Sequence, residues 1–172
     1  NAEQWNQFLL QFKPNTFLQS AEWGQLQAQH GADAHYLSFY NNDQLIGAGL
    51  IVIINAKRGR FLFCPPGPIF ANEASTRRYL PQFVDYCRGL AVQQQAVAIR
   101  ISPLLVTTPA TTALFSELGF RPAPLHIHTE LTWMLDLNQP EENLRQNMRK
   151  TTRQAIRRAL DASLTAEVIT NA

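Results

Sequence analysis

The chain has 172 residues, of which 45% are hydrophobic and 16% are charged, and its formal net charge is +2. This size and composition predict one globular domain, or one domain with an appendage, that can bury its core without disulfides or metal. No apolar run reaches the ~18 residues of a membrane span and no signal peptide is recognisable, so the sequence does not predict a membrane or secreted protein.

The basic excess lies in the carboxyl-terminal part of the chain. Residues 1–140 carry nine basic and nine acidic side chains, whereas residues 141–172 carry six basic and four acidic ones. The two cysteines, Cys64 and Cys87, stand in apolar contexts without metal-ligand spacing, which predicts reduced, buried thiols and a cytoplasmic location. The first residues are Asn-Ala rather than Met, which we interpret as a cloning remnant on a piece of a longer protein.

The first third of the chain predicts two helices and a run of antiparallel strands. Apolar residues recur at helical spacing in the first segment, and Ser20 is a favourable N-cap for the second helix. The predicted elements, in chain order, are a helix Glu3–Phe12, a short strand Thr16–Gln19, a helix Ala21–His30 ended by Gly31, and strands Ala34–Tyr40, Gln44–Ile54 and Arg60–Cys64. Asn41-Asn42-Asp43 has the composition of a hairpin turn, and residues 55–59 predict a second turn.

The remainder predicts helices alternating with strands. The first of these helices spans Thr76 to Gln95, and Pro81 fits best in its first turn, which moves the expected start towards Tyr79. Its predicted buried face comprises Tyr79, Phe83, Tyr86, Leu90 and Ala91. The other predicted elements are a strand Ala96–Ile101, a helix Ala110–Leu118 stopped by Gly119, strands within Phe120–Leu137, a helix from Glu141 to Leu160, and a strand Leu164–Thr170.

This order of elements favours an α/β (α+β) fold. Antiparallel hairpins come first and β-α-β units follow, which predicts a mixed sheet with helices on both faces. The order resembles the GNAT, or acyl-CoA N-acyltransferase-like, architecture. We expect a GNAT-like domain over residues 1–140, followed by a basic connecting helix and terminal strand over residues 141–172.

The segment Arg60–Phe70 is the strongest candidate for a binding site. A buried strand there runs into a loop of three prolines and one glycine, Pro65-Pro66-Gly67-Pro68. Ligands of α/β folds bind beside such strand ends, so Gly67 is a candidate substrate contact, although the same loop also suits a purely structural turn. An acyl-CoA enzyme needs free N–H groups at this position to bind a pyrophosphate, and proline has none. The loop therefore argues against CoA, and we predict no cofactor.

Arginine recurs every four residues in the last predicted helix. The basic residues of this segment are Arg145, Arg149, Lys150, Arg153, Arg157 and Arg158. Guanidinium groups suit phosphate, so Arg149, Arg153 and Arg157 are predicted to contact an anion, pyrophosphate or RNA backbone. A solvated helix face is the structural alternative.

Two further sets of polar residues have open roles. Arg100 is the single charge in an apolar strand, so it is either paired or directed towards a ligand cleft. His126 and His128 share one face of a predicted strand, but no third ligand accompanies them and no metal is predicted. The sequence contains no recognisable catalytic triad or phosphate loop.

Several stretches together resemble the FemABX family of peptidoglycan aminoacyltransferases. In chain order they are residues 17–23 (FLQSAEW), 66–68 (PGP), 99–103 (IRISP), 118–120 (LGF), 132–137 (TWMLDL), 141–144 (EENL) and 148–159 (MRKTTRQAIRRA). The resemblance covers nearly the whole chain, and the stretches from residue 132 onwards are the most specific.

The resemblance implies a fold of two GNAT-like domains, of which this chain is similar to the first and its connecting helix. Family members transfer an amino acid from aminoacyl-tRNA to the peptide of a cell-wall precursor, either a UDP-MurNAc-peptide or lipid II, without metal or CoA. Trp23 and Gln25 are then expected on the precursor side, with Arg100 and Ser102 at the cleft. A catalytic lysine and much of the precursor site belong to the second domain, so the catalytic residue is unknown here and the fragment alone is expected to be inactive.

The chain departs from the family pattern in two respects, at three residues. Gln25 and Gln27 stand where relatives can carry a phosphate-binding lysine, and Ser102 stands where relatives can place an acid. The implied partners are the muropeptide precursor, aminoacyl-tRNA and, peripherally, the inner face of the membrane. Two other functions remain open: a CoA-dependent GNAT N-acyltransferase and a non-catalytic RNA- or anion-binding module.

Overall fold

A computed structural model describes residues 1–12, 15–57, 59–124, 127, 134–162, 165 and 167. The helices are α1 (Ala2–Leu10), α2 (Ala21–Gln29), α3 (Glu73–Gln93), α4 (Pro109–Glu117), α5 (Glu141–Asn147) and α6 (Lys150–Asp161). The strands are β1 (Asp33–Asn41), β2 (Gln44–Ala56), β3 (Gly59–Cys64), β4 (Ile69–Phe70) and β5 (Ala98–Ile101). The chain divides into two compact units, Asn1–His128 and Thr129–Ala172.

The first unit is built on a mixed sheet, which confirms the predicted fold class. The strand order is β1-β2-β3-β5, with β1, β2 and β3 antiparallel and β5 parallel to β3. Strand β2 has two partners on one side, since β3 pairs with residues 52–56 and the short β4 pairs with residues 47–48. The proline loop, residues 65–68, connects these two partners.

Helices cover both faces of this sheet because successive residues of β2 point to opposite sides. Leu50 and Val52 pack in a cluster with residues of α1 and α2. Ile51 and Ile53 pack in a second cluster with the buried face of α3, and residues of α4 adjoin it. Apolar burial on both sides makes β2 the centre of the unit.

Several local signals form as predicted. The Ser20 hydroxyl accepts a hydrogen bond from the N–H of Trp23 and caps α2, and Gly31 follows that helix with φ of 82°. Asn42, with φ of 44°, turns the chain between β1 and β2. Gly119, with φ of 87°, follows α4. At these positions the residue type itself encodes the backbone geometry.

The predicted strand Thr16–Gln19 is wrong, because a short 3-10 helix occupies Phe17–Gln19. The Thr16 hydroxyl accepts a hydrogen bond from the N–H of Leu18, and the N–H of Ser20 donates to the carbonyl of Phe17. These local bonds fold the segment into a turn, and a short apolar run cannot by itself distinguish the two conformations.

The long helix α3 starts earlier than predicted. Its first residue is Glu73, and the side chain of Asn72 caps it by accepting from the N–H of Ser75 at 2.9 Å. Pro81 therefore lies inside the helix, where its missing N–H costs one bond, and the burial of the face that follows outweighs that cost. The expected position of Tyr86 on the buried face is also wrong, since this side chain is exposed.

The helix predicted from Glu141 to Leu160 is two helices in the second unit. Met148 and Arg149 have extended backbones, with ψ of 153° and 147°, and separate α5 from α6. The guanidinium of Arg153 donates to the carbonyl oxygens of Gln146 and Met148, at 2.8 and 2.7 Å. This side chain stabilises the break by satisfying carbonyls that the helix no longer pairs.

Some predictions fall partly or wholly outside the described residues. His126, His128 and most of the predicted strand Leu164–Thr170 lie there, as does much of the segment 120–137, whose described residues form no strand. Within the described ranges, no helix is long and apolar enough to cross a membrane, and no three side chains of His, Cys, Asp or Glu are grouped as metal ligands would be.

Candidate functional site

The candidate site is the edge of the sheet where the parallel strands β3 and β5 end. After Cys64 the chain enters the proline loop, and after Ile101 it continues into Ser102. The Gly67 N–H donates to the Ser102 carbonyl oxygen at 2.9 Å, and the Gly67–Pro68 peptide bond is cis. Two of the predicted site residues, Gly67 and Ser102, are therefore hydrogen-bonded neighbours.

Gln19 lies beneath the proline loop and fixes it to the sheet. Its side chain is fully buried, and its amide nitrogen donates to the Pro65 carbonyl oxygen at 2.7 Å. Its amide oxygen accepts from the N–H of Leu50 at 2.8 Å, at the stretch of β2 that neither β3 nor β4 pairs. The backbone oxygen of Gln19 accepts from the indole of Trp5 at 2.7 Å. The glutamine amide thus replaces a missing segment of neighbouring strand.

Close packing at Gly67 depends on the same glutamine. A Cβ added at Gly67 would lie 2.7 Å from the Gln19 side-chain amide, closer than carbon atoms approach without displacement. The φ of Gly67 is not positive, so another residue type could adopt this backbone conformation. Glycine is required because there is no space for a Cβ. The proline loop is therefore a rigid wall whose position is set by a buried amide.

The other predicted substrate residues lie on different elements of the first unit. Arg100 is half-buried on β5 in register with Phe63 of β3. Trp23 and Gln25 are on α2; Gln25 is exposed, and the Trp23 ring contacts that of Phe17 at a centroid distance of 5.5 Å. No hydrogen bond or ring contact among the described residues joins Trp23 or Gln25 to the proline loop.

The three predicted anion-binding arginines belong to the second unit and differ in their roles. Arg149 is the N-cap residue of α6, and Arg153 is bound to carbonyl oxygens at the end of α5. Arg157 is exposed on α6, with Lys150 and Arg158 on the same helix. The predicted repeat therefore does not form one continuous stripe of equivalent cations.

A cavity of about 370 Å3 adjoins the proline loop at Pro68. One side is formed by β4 and the start of α3, and the other by residues 104–106, which follow β5. Phe12 and the α4 residues Thr111 and Leu114 complete its lining. Its volume is in the range of small-molecule sites, although none of the predicted site residues lines it.

The electrostatics at the start of α3 do not favour an anion. The side chain of Asn72 already accepts from an N–H of the first turn, and the carboxylate of Glu73 occupies the position next to it. Glu73 pairs with Arg77 at 2.9 Å, which uses the nearest cation. A helix N-terminus attracts anions through its dipole and free N–H groups, and both are partly compensated here.

The two thiols are unsuited to nucleophilic catalysis. Both Cys64 and Cys87 are buried and free. Burial raises the pKa of the Cys87 thiol to about 12, and burial together with the neighbouring Cys87 raises that of Cys64 further still. Since the thiolate is the nucleophile, these cysteines act as core residues.

Comparison with known proteins gives a family and a fold. A family model described as the FemAB family matches residues 1–114. No curated protein sequence matches the chain. Among solved structures, FemX superposes with a TM-score of 0.68 at 15% identity, over 93% of this chain and 42% of the FemX chain. The chain thus spans less than half the length of FemX.

Two acetyltransferases share the fold more distantly. A predicted acetyltransferase from Clostridium acetobutylicum, solved with acetyl-CoA, gives a TM-score of 0.51 at 13% identity, over 75% of this chain and 86% of its own. An acetyltransferase from Trypanosoma brucei gives 0.51 at 8% identity, over 76% and 95%. At such identities the likeness establishes a shared GNAT-like fold.

Sequence reasoning overlooked two features of this site. Gln19 lies within the stretch 17–23 but has no predicted role, because nothing in the local sequence shows that its amide is buried and hydrogen-bonded. The cavity beside β4 had no signal, because its walls come from segments that are far apart in the chain.

Proposed function

Because the chain belongs to the FemAB family, we propose that it is the first GNAT-like domain of an aminoacyltransferase for cell-wall precursors. The complete enzyme would transfer an amino acid from aminoacyl-tRNA to an amine on the peptide of a UDP-MurNAc-peptide or of lipid II. The family match over residues 1–114 and the likeness to FemX over 93% of this chain support this assignment.

One observation favours this function over a CoA-dependent N-acyltransferase. In a GNAT-like fold a pyrophosphate binds free backbone N–H groups between the central strand and the long helix that follows it. Here these elements are β3 and α3, and the proline loop follows β3 directly. Here the proline loop contains a single N–H, that of Gly67, and this group already donates to Ser102. The same loop is therefore better suited to form a rigid wall against a precursor than to bind a CoA pyrophosphate.

The reaction sets requirements that this domain meets in part. Attack of an amine on an aminoacyl ester needs the two reactants to be positioned, the amine to lose a proton, and the developing oxyanion to be stabilised. Gly67, Arg100 and Ser102 would position the precursor at the sheet edge, with Trp23 and Gln25 contacting it from α2. The proton acceptor and the oxyanion donors would come from a second domain, so this chain alone would not turn over.

The second unit would connect the two domains and contribute phosphate contacts. Residues 1–140 would form the first domain, and residues 141–172 would lead to the second. Arg149 and Arg157 would contact phosphates of the tRNA or the precursor. Arg153 would do so only through those guanidinium N–H groups that do not donate to the carbonyl oxygens of Gln146 and Met148. The enzyme would act in the cytoplasm, at the inner face of the membrane when the acceptor is lipid II.

Calorimetric titration of this chain tests the proposal. We expect saturable heat with UDP-MurNAc-pentapeptide and none with acetyl-CoA at the same concentrations. Binding of acetyl-CoA without binding of the precursor would refute the proposal and support an acetyltransferase. The matched variant Ser102→Ala should keep the Gly67 hydrogen bond, which uses a backbone oxygen, so any loss of precursor affinity would report on the hydroxyl.

The exposed cations of α6 favour a second candidate function, a non-catalytic RNA-binding module. Lys150, Arg157 and Arg158 are exposed on this one helix. Such a module would bind single-stranded RNA with an affinity that falls steeply with salt. Arg157→Ala combined with Arg158→Ala would remove two phosphate contacts and reduce the slope of log affinity against log salt by about 1.4. Precursor binding that is independent of these arginines would exclude RNA binding as the primary role of the chain.

A further inference from the structure

The short strand β4 has one edge without a neighbouring strand. Ala71 N–H donates to Ile46 O at 2.9 Å, and the register pairs Phe70 with Gly47 and Ile69 with Ala48. In an antiparallel ladder this places Phe70 at a position whose own N–H and C=O point away from β2. The described residues place no strand against that second side of β4.

That edge lines the cavity of about 370 Å3. Ile69 and Phe70 both contribute to its wall, and the segment 104–106, which follows β5, forms another wall. The two β4 residues are only 7% and 8% exposed, so the edge is set back from the surface. Buried backbone N–H and C=O groups are almost always paired, by protein, water or ligand. The cavity therefore holds a donor and an acceptor that a bound molecule can satisfy.

The edge is rigid, which suits it for recognition. The Phe70 ring packs against that of Phe39 at a centroid distance of 5.3 Å, and Gly47 leaves room for it because a Cβ there would lie 2.5 Å from the ring. Phe70 is also part of the main apolar cluster against α3. A ligand that pairs with this backbone would not have to order it first, which favours affinity.

The apolar and uncharged lining of the cavity favours a neutral, extended ligand. The cavity walls are mainly apolar, and they include the exposed side chains of Leu105 and Val106. Threonine hydroxyls at positions 76, 108 and 111 add neutral polar groups. The nearest charges, Glu73 and Arg77, neutralise each other. An extended peptide matches a wall of this kind, because its backbone pairs with a strand edge while its side chains contact apolar surfaces. A pyrophosphate would gain no cation and would meet the Glu73 carboxylate.

We propose that the cavity binds an extended segment of the acceptor's peptide, which adds as a strand to the free edge of β4 through the N–H and C=O of Phe70. This subsite rests on the proposed function and adds to it a binding place for the peptide of the precursor that is distinct from the place of its sugar nucleotide. The proline loop, which precedes β4 directly, would hold the precursor at the entrance to this subsite.

Nuclear magnetic resonance of the 15N-labelled chain tests the subsite. UDP-MurNAc-pentapeptide should shift the Phe70 amide resonance and slow its hydrogen exchange, whereas UDP-MurNAc without a peptide should leave that amide unchanged. Filling the cavity with Val106→Trp should weaken binding of the pentapeptide form about tenfold, which corresponds to losing one or two hydrogen bonds. Val92→Trp is the matched control, because both valines are 80% exposed and Val92 lies outside the cavity.

The outcomes separate the subsite from the function. Saturable binding of the pentapeptide form without a change at Phe70 would overturn the subsite and leave the proposed function intact. Binding of neither precursor form would refute both. A shift of Phe70 with acetyl-CoA and none with the peptide would also overturn the subsite, since the edge would then serve the amides of a pantetheine chain.

Discussion

At the scale of single residues, Gln19 and Gly67 together determine the position of the proline loop. The Gln19 side chain holds the loop, and Gly67 fits against that side chain because it has none of its own. Gln19 joins Leu50 of β2 to Pro65 through the two ends of one amide. Gly67 lets the loop lie directly against that amide. A buried amide of this kind stabilises the fold only while both of its ends are paired, because each unpaired group would cost its full desolvation.

Replacing Gln19 by leucine should therefore destabilise the protein strongly. The change preserves approximate volume but leaves the Leu50 N–H and the Pro65 carbonyl without their partner, which costs about 2–4 kcal/mol in the free energy of unfolding. Urea denaturation followed by tryptophan fluorescence would measure this. Gln29→Leu, at an exposed position of α2, is the control and should change stability by less than about 0.5 kcal/mol. Equal stability of the two variants would contradict the role assigned to Gln19.

A second residue pair tests whether Gly67 is required for space. Gly67→Ala would place a Cβ 2.7 Å from the Gln19 amide, and relieving that overlap should cost about 1–3 kcal/mol. Gly89→Ala in α3 meets nothing within 4 Å and should be neutral or stabilise by up to about 1 kcal/mol. The denaturation midpoint should fall for Gly67→Ala and should stay unchanged or rise for Gly89→Ala. A higher midpoint for Gly67→Ala would show that the loop can move to make room for the added Cβ.

At the scale of elements, the two helices of the second unit depend on a contact that periodicity does not encode. The spacing of the arginines is regular through residues 145–157, yet the backbone is extended at Met148 and Arg149. Arg145 pairs with Glu141, and Arg153 reaches back to the last carbonyls of α5. Two arginines of the repeat therefore have intramolecular partners, and the anion-binding role proposed for this segment is best supported at Arg157.

Exchange kinetics can separate these roles. Arg153→Ala should raise hydrogen–deuterium exchange of the α5 segment 141–148 several-fold, because the two carbonyls at the break lose their charged donor. Arg157→Ala changes the same residue type four positions later on α6, and it should leave that exchange unchanged while weakening polyanion binding. If both variants exchanged like the parent chain, Arg153 would have no part in stabilising the break.

At the scale of the whole molecule, the two buried thiols couple global stability to alkaline pH. Burial raises the pKa of Cys87 to about 12 and raises the pKa of Cys64 further, whereas an exposed thiol titrates near pH 9. Unfolding exposes both thiols, so above pH 9 the unfolded chain loses their protons while the folded chain keeps them. Because the folded pKa values are the higher ones, the stabilisation is complete below pH 9 and declines as pH rises from there.

The expected decline is steep enough to measure under reducing conditions. Between pH 9.5 and 11, ionisation of the two thiols in the unfolded chain should lower the free energy of unfolding by about 2–3 kcal/mol per pH unit. The double variant Cys64→Ala and Cys87→Ala should lack this component, although it will be less stable at neutral pH. Parallel pH profiles of the two proteins, whatever their offset, would show that the thiols do not cause the decline.

The class of fold and most of its elements follow from local features of the amino-acid sequence. Helical spacing in α1, the Ser20 cap, and the glycines after α2 and α4 report backbone preferences that are local, and local preferences can be recognised in a linear chain. The order of elements then indicated a GNAT-like sheet, and the resemblance to FemABX proteins came from short stretches that span the chain. The FemAB match confirms that resemblance.

The identity of the polar groups that meet at the candidate site depends on tertiary packing and cannot be predicted from the sequence. Gln19 and Leu50 are 31 positions apart, and the cavity joins β4 to a segment beyond β5, so neither arrangement has a local signal. The position of Pro81 inside α3 and the break before α6 likewise depend on burial and on one long side chain. Periodicity shows which side of an element is apolar, whereas the partner of a buried donor or acceptor depends on how distant segments pack.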